Sequence, residues 1–234
     1  YRFSSSLSSD RIQSKKILKI GYISHCFKRH SVGWLSRWIF QYHNRERFQI
    51  YAYLLNQSLP LSNFSQKWFV DSTDKAYTFE SVGSEVLEQI HKDEIDILID
   101  LDSITLDALC EILGIKPAPI QVTWLGLDAS GLPTIDYFIA DPYVLPDTAQ
   151  EYYRENLWRL PNTYIAVDGF EVGVPSLRRD QLDIPSEAVI YFVGQKGYKR
   201  NLENARLQIK ILKEVPNSYL LIKGQADEES SRKF

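Results

Sequence analysis

The feature that most constrains this chain is an alternation, in which short apolar runs of strand length are repeatedly followed by stretches of helical periodicity. Ile17 to Ser24 (ILKIGYIS) reads as a strand. In the helical pattern after it, Trp34, Leu35, Trp38, Ile39 and Tyr42 share one face while Arg37 and Gln41 point away. Phe48 to Leu55 is a second strand, Phe64 to Val70 a short helix and Lys75 to Phe79 a weaker third strand. Ser84 to Asp93 is a helix burying Val86, Leu87 and Ile90, and Ile95 to Leu101 (IDILIDL) a fourth strand. Thr105 can cap the next helix, whose apolar positions are Leu106, Leu109, Ile112 and Leu113 and which ends at Gly114. Short connections between alternating strands and helices predict a parallel sheet covered on both faces, an α/β, Rossmann-like lobe.

Pro117 to Pro142 then carries two further apolar runs, one around Ile120 to Leu125 and one from Tyr137 to Ala140. Gly126 and Gly131 frame the segment LDAS between them, where missing side chains let backbone amides approach a ligand or simply satisfy loop geometry. Asp147 and Gln150 resemble a capping box for a helix through Tyr153, with short strands at Leu157 to Leu160 and Tyr164 to Val167. The rhythm breaks across 168–186 and restarts with a strand from Ala188, a helix from Leu202 to Glu214 and a strand from Tyr219 to Lys223. The expected organisation is a serine-rich linker over 1–15, one lobe over 16–167, a connector over 168–186 and the incomplete start of a second lobe over 187–234. With no methionine, even at position 1, the sequence reads as a piece of a longer protein.

A formal charge of −3 gives no bulk attraction to nucleic acid or anionic lipid, so neither is an expected partner and phosphate recognition must be local. Cys26 and Cys110 are the only cysteines, without CxxC spacing, which fits a reducing, cytoplasmic setting. No apolar run approaches the roughly 20 residues of a membrane span.

In an open parallel sheet, ligands bind where the loops gather at the carboxyl ends of the strands. His25 and His30 follow the first strand, Asp100 and Asp102 close the fourth, Gly126 to Gly131 follow the fifth, and Lys196, Tyr198, Lys199 and Arg200 follow the strand from Ala188. His30 suits a general base by its titration range, or simply begins a helix. His25, His43 and His91 lack partner spacing and read as structural or exposed. Asp100 and Asp102 form a D-x-D, which can hold a divalent cation but is also a common strand ending. The loop GQKGYKR offers glycines for close approach and cations for a diphosphate, or is a solvated basic loop. There is no G-x-G-x-x-G, Walker, H-E-x-x-H or G-x-S-x-G motif.

The segments KIGYISHCFKRHSVG, IDILIDLDSIT, KPAPIQVTWLGLDASGLPTIDYFIADP and QKGYKR, in this order, resemble the catalytic region of the O-linked N-acetylglucosamine transferases, in particular their bacterial SPINDLY-like branch. The resemblance implies a GT-B-like architecture of two Rossmann-like lobes. It implies transfer of a sugar, N-acetylglucosamine from UDP-GlcNAc, to Ser or Thr hydroxyls of proteins with inversion and without a metal or other cofactor. Tetratricopeptide repeats upstream are expected, and the piece by itself is expected to be inactive. The family's active-site histidine falls on His30, its donor-contacting Leu-Gly pair on Leu125 and Gly126, and its diphosphate lysine on Lys199, beside Tyr198. His30 is then the candidate for proton removal or acceptor positioning, with Asp100 or Asp102 as an electrostatic aid. Two segments depart from the family: Asp-Leu-Asn-Gly-Tyr-Thr is here Asp100-Leu-Asp-Ser-Ile-Thr105, and Gly-Tyr-Pro-Gly-Thr is Gly126-Leu-Asp-Ala-Ser. A noncatalytic scaffold and a GDP-fucose-dependent O-fucosyltransferase are the competing readings.

Overall fold

The computed structural model describes residues 17–57, 64–169, 173–174, 177–195 and 199–223. The chain divides into two compact units, residues 1–170 and 171–234.

In the first unit seven strands form one parallel sheet: β1 (Leu18–Ser24), β2 (Phe48–Leu54), β3 (Lys75–Thr78), β4 (Ile97–Asp100), β5 (Ile120–Thr123), β6 (Tyr137–Ala140) and β7 (Asn156–Arg159). Their order is β3-β2-β1-β4-β5-β6-β7, so the direction of winding reverses between β1 and β4. Four helices connect them: α1 (Ser31–Tyr42), α2 (Phe64–Asp71), α3 (Ser84–Asp93) and α4 (Asp107–Ile115).

The period-two side-chain alternation of these strands splits the core into two layers. Tyr51, Tyr53 and Leu98 face Val86 and Ile90 of α3 and Leu109, Ile112 and Leu113 of α4. Ile20, Tyr22, Ile50, Ala52 and Ile99 face Phe40 of α1 and Phe69 of α2 on the other side. The expected doubly covered sheet is therefore present.

Several local readings are corrected. Arg37 is buried, at 6% exposure, and Tyr42 is 62% exposed, so α1 is rotated from the face its apolar pattern predicts. The cause is Gly33, where a Cβ would stand 2.5 Å from the Lys28 carbonyl oxygen and 2.8 Å from that of Cys26. Its absence brings the Gly33–Arg37–Phe40 side inward, and the Arg37 guanidinium lies against the rings of Trp34 and Trp38, 5.0 and 4.6 Å from their centroids.

Thr105 does not cap α4. It ends a 3-10 turn over Ser103–Thr105 and donates its hydroxyl to the Asp102 carbonyl at 2.5 Å, leaving Leu106 as the uncapped N-cap residue. Lys116 rather than Gly114 takes the left-handed position closing α4. Asp147 and Gln150 form no capping box. Gln150 instead donates to the carbonyls of Tyr153 and Glu155 and accepts from the Leu157 N–H, tying a 3-10 segment (Asp147–Tyr152) to β7. Tyr164 to Val167 is no strand, because its main chain is engaged elsewhere: Tyr164 N–H donates to Asp141, Ala166 N–H to Leu35, and the Tyr164 carbonyl accepts from the Trp124 indole.

In the second unit β8 (Val189–Val193) and β9 (Ser218–Ile222) pair in parallel and are joined by α5 (Leu202–Glu214), whose N-cap Asn201 accepts from Asn204 N–H at 2.8 Å.

Asp93, at the end of α3, is buried and takes hydroxyl bonds from Tyr53 at 2.8 Å and Tyr77 at 3.0 Å. Burial, then the neighbouring carboxylate, raises both phenols far above their ordinary range, Tyr77 to about 12. Removing one donor leaves buried carboxylate capacity unmet, so Tyr53→Phe should destabilise the protein by ~1–3 kcal/mol in a urea titration, with the m-value unchanged.

Candidate functional site

The winding reversal between β1 and β4 leaves a crevice at the carboxyl ends of the two strands, because the chain leaves each in opposite directions. Ile23 pairs with Asp100 and Asp100 with Thr123, so the loops after β1, β4 and β5 begin side by side.

The β4 loop is shaped by Asp100. Its carboxylate, with 0% exposure, turns back on its own chain, accepting from Asp102 N–H at 2.8 Å and Ser103 N–H at 3.0 Å, with the Thr123 hydroxyl at 3.4 Å. Burial first, and the Asp102 charge second, push its pKa up to about 7 against the pull of those N–H bonds. Asp100 thus builds the turn, its carboxylate occupied by the main chain of its own loop.

Asp102 reaches the other way, to β1. One oxygen accepts from the Ser24 hydroxyl at 2.6 Å, and the other lies 2.7 Å from both the His25 N–H and His25 Nδ1. Of the D-x-D pair, only Asp102 takes part in a cluster of possible metal ligands among the described residues. That cluster is His25, Cys26 and Asp102, whose ligand atoms lie within 4.8 Å of one another. The Cys26 thiol is pushed up to about 12 by burial and by Asp102, so it is protonated at neutral pH and a poor nucleophile. Its sulfur lies 3.5 Å from His25 Nε2 and 3.7 Å from Nδ1, nearly equidistant, hence against the ring rather than in line with one nitrogen.

His25, read from the sequence as structural or exposed, is tied to the β4 turn by Asp102. Nothing in local spacing marks it, since its partner stands 77 residues away. His30 lies beside it, ring centroids 6.2 Å apart. It is the N-cap of α1, its Nδ1 accepting from Val32 N–H at 3.3 Å, so the helix-start reading of His30 holds alongside its place at the site.

The β5 loop packs onto the β4 turn. Leu125 and Ser103 both adopt left-handed backbone, φ 67° and 51°. Gly126 is required there, since a Cβ would lie 2.4 Å from the Ser103 Cβ and 2.9 Å from the Ser103 nitrogen. The Ser103 hydroxyl donates to the Asp128 carbonyl, the Asp128 carboxylate accepts from Tyr153 at 2.7 Å, and Glu155 holds Ser130 and the Gly131 N–H. The altered LDAS loop is thus fixed from both ends.

His30, Asp102, Leu125 and Gly126 come together in the first unit. Lys199 belongs to the second, exposed just ahead of α5, and Tyr198 lies outside the described residues. Beside Lys199, Arg200 donates to the Lys223 carbonyl at the end of β9.

A doubly wound sheet with polar loops converging at its winding reversal defines an α/β protein of the Rossmann-like type. Residues 1–178 match the family described as Glycosyl transferase family 41, and the chain belongs to that family. A probable UDP-N-acetylglucosamine-peptide N-acetylglucosaminyltransferase, SEC, from Arabidopsis thaliana is 32% identical over 216 residues, 88% of this chain and 22% of the relative. The UDP-N-acetylglucosamine-peptide N-acetylglucosaminyltransferase of Caenorhabditis elegans is 31% identical over 67% of this chain and 14% of its own length. A solved lysine-to-methionine variant of the Thermobaculum terrenum O-GlcNAc transferase superposes with a TM-score of 0.73 at 25% identity, covering 94% of this chain and 41% of that one. The GT-B-like α/β fold expected from the sequence is borne out by this match. The chain spans about a fifth of the length of the SEC relative.

Two outcomes are expected. Gly126→Ala should cost ~2 kcal/mol or more by thermal denaturation, as overpacking against fixed backbone does, and Ser103→Gly in the same chain should restore part of the loss by removing the nearer Cβ. Because the folded-state pKa of Asp100 is raised, the native state binds the extra proton, and its contribution is lost as pH rises through about 7. Asp100→Asn should therefore gain stability relative to the natural chain between pH 4 and pH 8 in paired denaturation curves.

Proposed function

We propose that this chain is part of a protein O-glycosyltransferase that moves a sugar, N-acetylglucosamine from UDP-GlcNAc, to Ser or Thr hydroxyls of proteins with inversion at the anomeric carbon. The observation that carries the reading is the meeting of the His25–His30 loop, the Asp100–Ser103 turn and the Leu125–Gly126 loop at the winding reversal, in a member of family 41. The printed names of its relatives support the donor and the peptide acceptor.

In such a displacement the acceptor hydroxyl must be held in line with the anomeric carbon and lose its proton, while negative charge gathers on the leaving diphosphate. His30 and Asp102 stand on the acceptor side of this scheme. The left-handed Leu125 and side-chain-free Gly126 present main chain to the donor, and the family resemblance assigns the diphosphate to Lys199. Donor chemistry of this kind needs no metal or other cofactor, the sugar nucleotide being substrate. Tetratricopeptide repeats upstream, which would present the acceptor proteins, and a cytoplasmic location complete the proposal. Among the described residues no helix is long and apolar enough to cross a membrane.

The test is calorimetric titration of UDP and GDP into the full-length protein with and without Mg²⁺. UDP should bind equally well in both conditions, and Lys199→Ala should weaken it by about tenfold or more, as expected for loss of a charge-assisted phosphate contact. Binding of GDP alone would transfer the assignment to a fucosyl donor, and binding of neither would leave a noncatalytic scaffold.

A further inference from the structure

Three side chains from two neighbouring strand ends converge beside the crevice, each with a different kind of donor atom. His25 and Cys26 follow β1 and Asp102 follows β4, and an imidazole nitrogen, the thiol sulfur and a carboxylate oxygen lie within 4.8 Å of one another. Sulfur, imidazole and a single carboxylate form the donor set of a borderline-soft divalent cation such as Zn²⁺. Mg²⁺ and Ca²⁺ call for oxygen ligands alone.

The spacing suits such an ion. Bonds of about 2.0–2.3 Å at tetrahedral angles put neighbouring ligand atoms about 3.3–3.6 Å apart. The Cys26 sulfur stands 3.5 Å from His25 Nε2 and 3.7 Å from Nδ1. The His25–Asp102 pair, at 2.7 Å, is closer because it shares a hydrogen bond, and it must open by roughly half an ångström to admit a cation. The imidazole is the partner that can give. Its side chain is 26% exposed, whereas Asp102 is buried and held by the Ser24 hydroxyl at 2.6 Å and the His25 N–H at 2.7 Å. Turning the ring also aims one nitrogen toward the ion that the sulfur meets. A carboxylate fixed in advance by a hydroxyl and a main-chain N–H has the support that metal ligands require.

We propose that His25, Cys26 and Asp102 form a binding site for a borderline-soft divalent cation of the Zn²⁺ class, and that its occupation blocks the crevice. On binding, a metal–sulfur bond forms and the Cys26 thiol gives its proton to solvent. The ion's own charge offsets the burial and the Asp102 charge that keep the free thiol protonated. Lys28, the smallest of the influences on Cys26, opposes the ion. A tetrahedral cation held by these three residues keeps a fourth position for water or another oxygen. In this scheme the cation is an inhibitor and not a cofactor. It takes up Asp102, which the transferase scheme places on the acceptor side, and it stands next to His30, whose ring centroid is 6.2 Å from that of His25. The cation site stands without the transferase reading, and the block of turnover rests on it.

Two measurements on the full-length protein test this. In calorimetric titrations the natural chain should bind Zn²⁺, and Mg²⁺ should not compete. Cys26→Ser and His25→Gln should each weaken the Zn²⁺ site by about tenfold or more, because loss of even a group behind a metal ligand costs that much. Cys110→Ser, whose thiol is turned to the Ser103 carbonyl, should leave it unchanged. With Co²⁺ as the spectroscopic probe, sulfur-to-cobalt charge-transfer absorption should appear in the natural chain and be lost or reduced in Cys26→Ser. His25→Gln leaves the Asp102 bonds to Ser24 and to the main chain available, so it tests the site even where Cys26→Ser disturbs the core. Absence of Zn²⁺ binding, Zn²⁺ binding that is the same in both variants as in the natural chain, or displacement of Zn²⁺ by Mg²⁺ overturns the site.

In steady-state assays with UDP-GlcNAc and a peptide acceptor, saturating Zn²⁺ should abolish turnover of the natural chain, a chelator should restore it, and Cys26→Ser should be less sensitive to the ion. Full turnover at saturating Zn²⁺ overturns the block alone. A natural chain that binds Zn²⁺ as described but transfers no sugar in metal-free buffer fails the transferase reading and the block with it, and supports the cation site.

Discussion

The site depends on one buried carboxylate. Asp100 ends β4 with no exposure and spends its oxygens on the N–H groups of Asp102 and Ser103. The position is closed to bulk solvent, so main-chain donors supply what solvation would, and the chain takes a tight turn immediately after the strand. The turn aims Asp102 back at β1 and sets Ser103 in left-handed backbone against the β5 loop. Burial raises the Asp100 pKa and the N–H bonds lower it, and the outcome, about 7, shows that burial is the larger effect. The geometry of three loops therefore follows from one buried group.

Departures from the family pattern make physical sense in the same place. Where the family pattern named with the resemblance has Asn-Gly, this chain carries Asp102-Ser103, a carboxylate in place of an amide and a residue at φ 51° in place of a permissive glycine. The added Asp102 charge is met by Ser24, by a main-chain N–H and by the His25 ring. The added Ser103 side chain is accommodated because Gly126 has none, and its hydroxyl is used to hold the Asp128 carbonyl. Each of these side chains is met by groups of a neighbouring loop.

Much of the architecture was legible in the sequence. Strand and helix positions follow from side-chain periodicity over a few residues, which is a local property, and the two-sided sheet follows from strands apolar on both faces. The errors arose where a side chain had a choice of partners that only folding decides. Arg37 looked solvent-facing because it is charged, yet two tryptophans and the close approach at Gly33 bury it. Gln150 and Thr105 have the right types and spacing for caps, but distant or neighbouring carbonyls compete for them more successfully. Of the candidate site, His30 and Asp102 were read from their places after strand ends, Leu125 and Gly126 from the resemblance, and His25 was read as structural or exposed.

By itself the sequence determined which segments become strands and helices, which loops gather at one sheet edge, and which family the chain resembles. These are encoded in periodicity and in runs of residues. Only the tertiary structure decided that β1 lies beside β4, pairing Ile23 with Asp100 and so carrying His25 to Asp102.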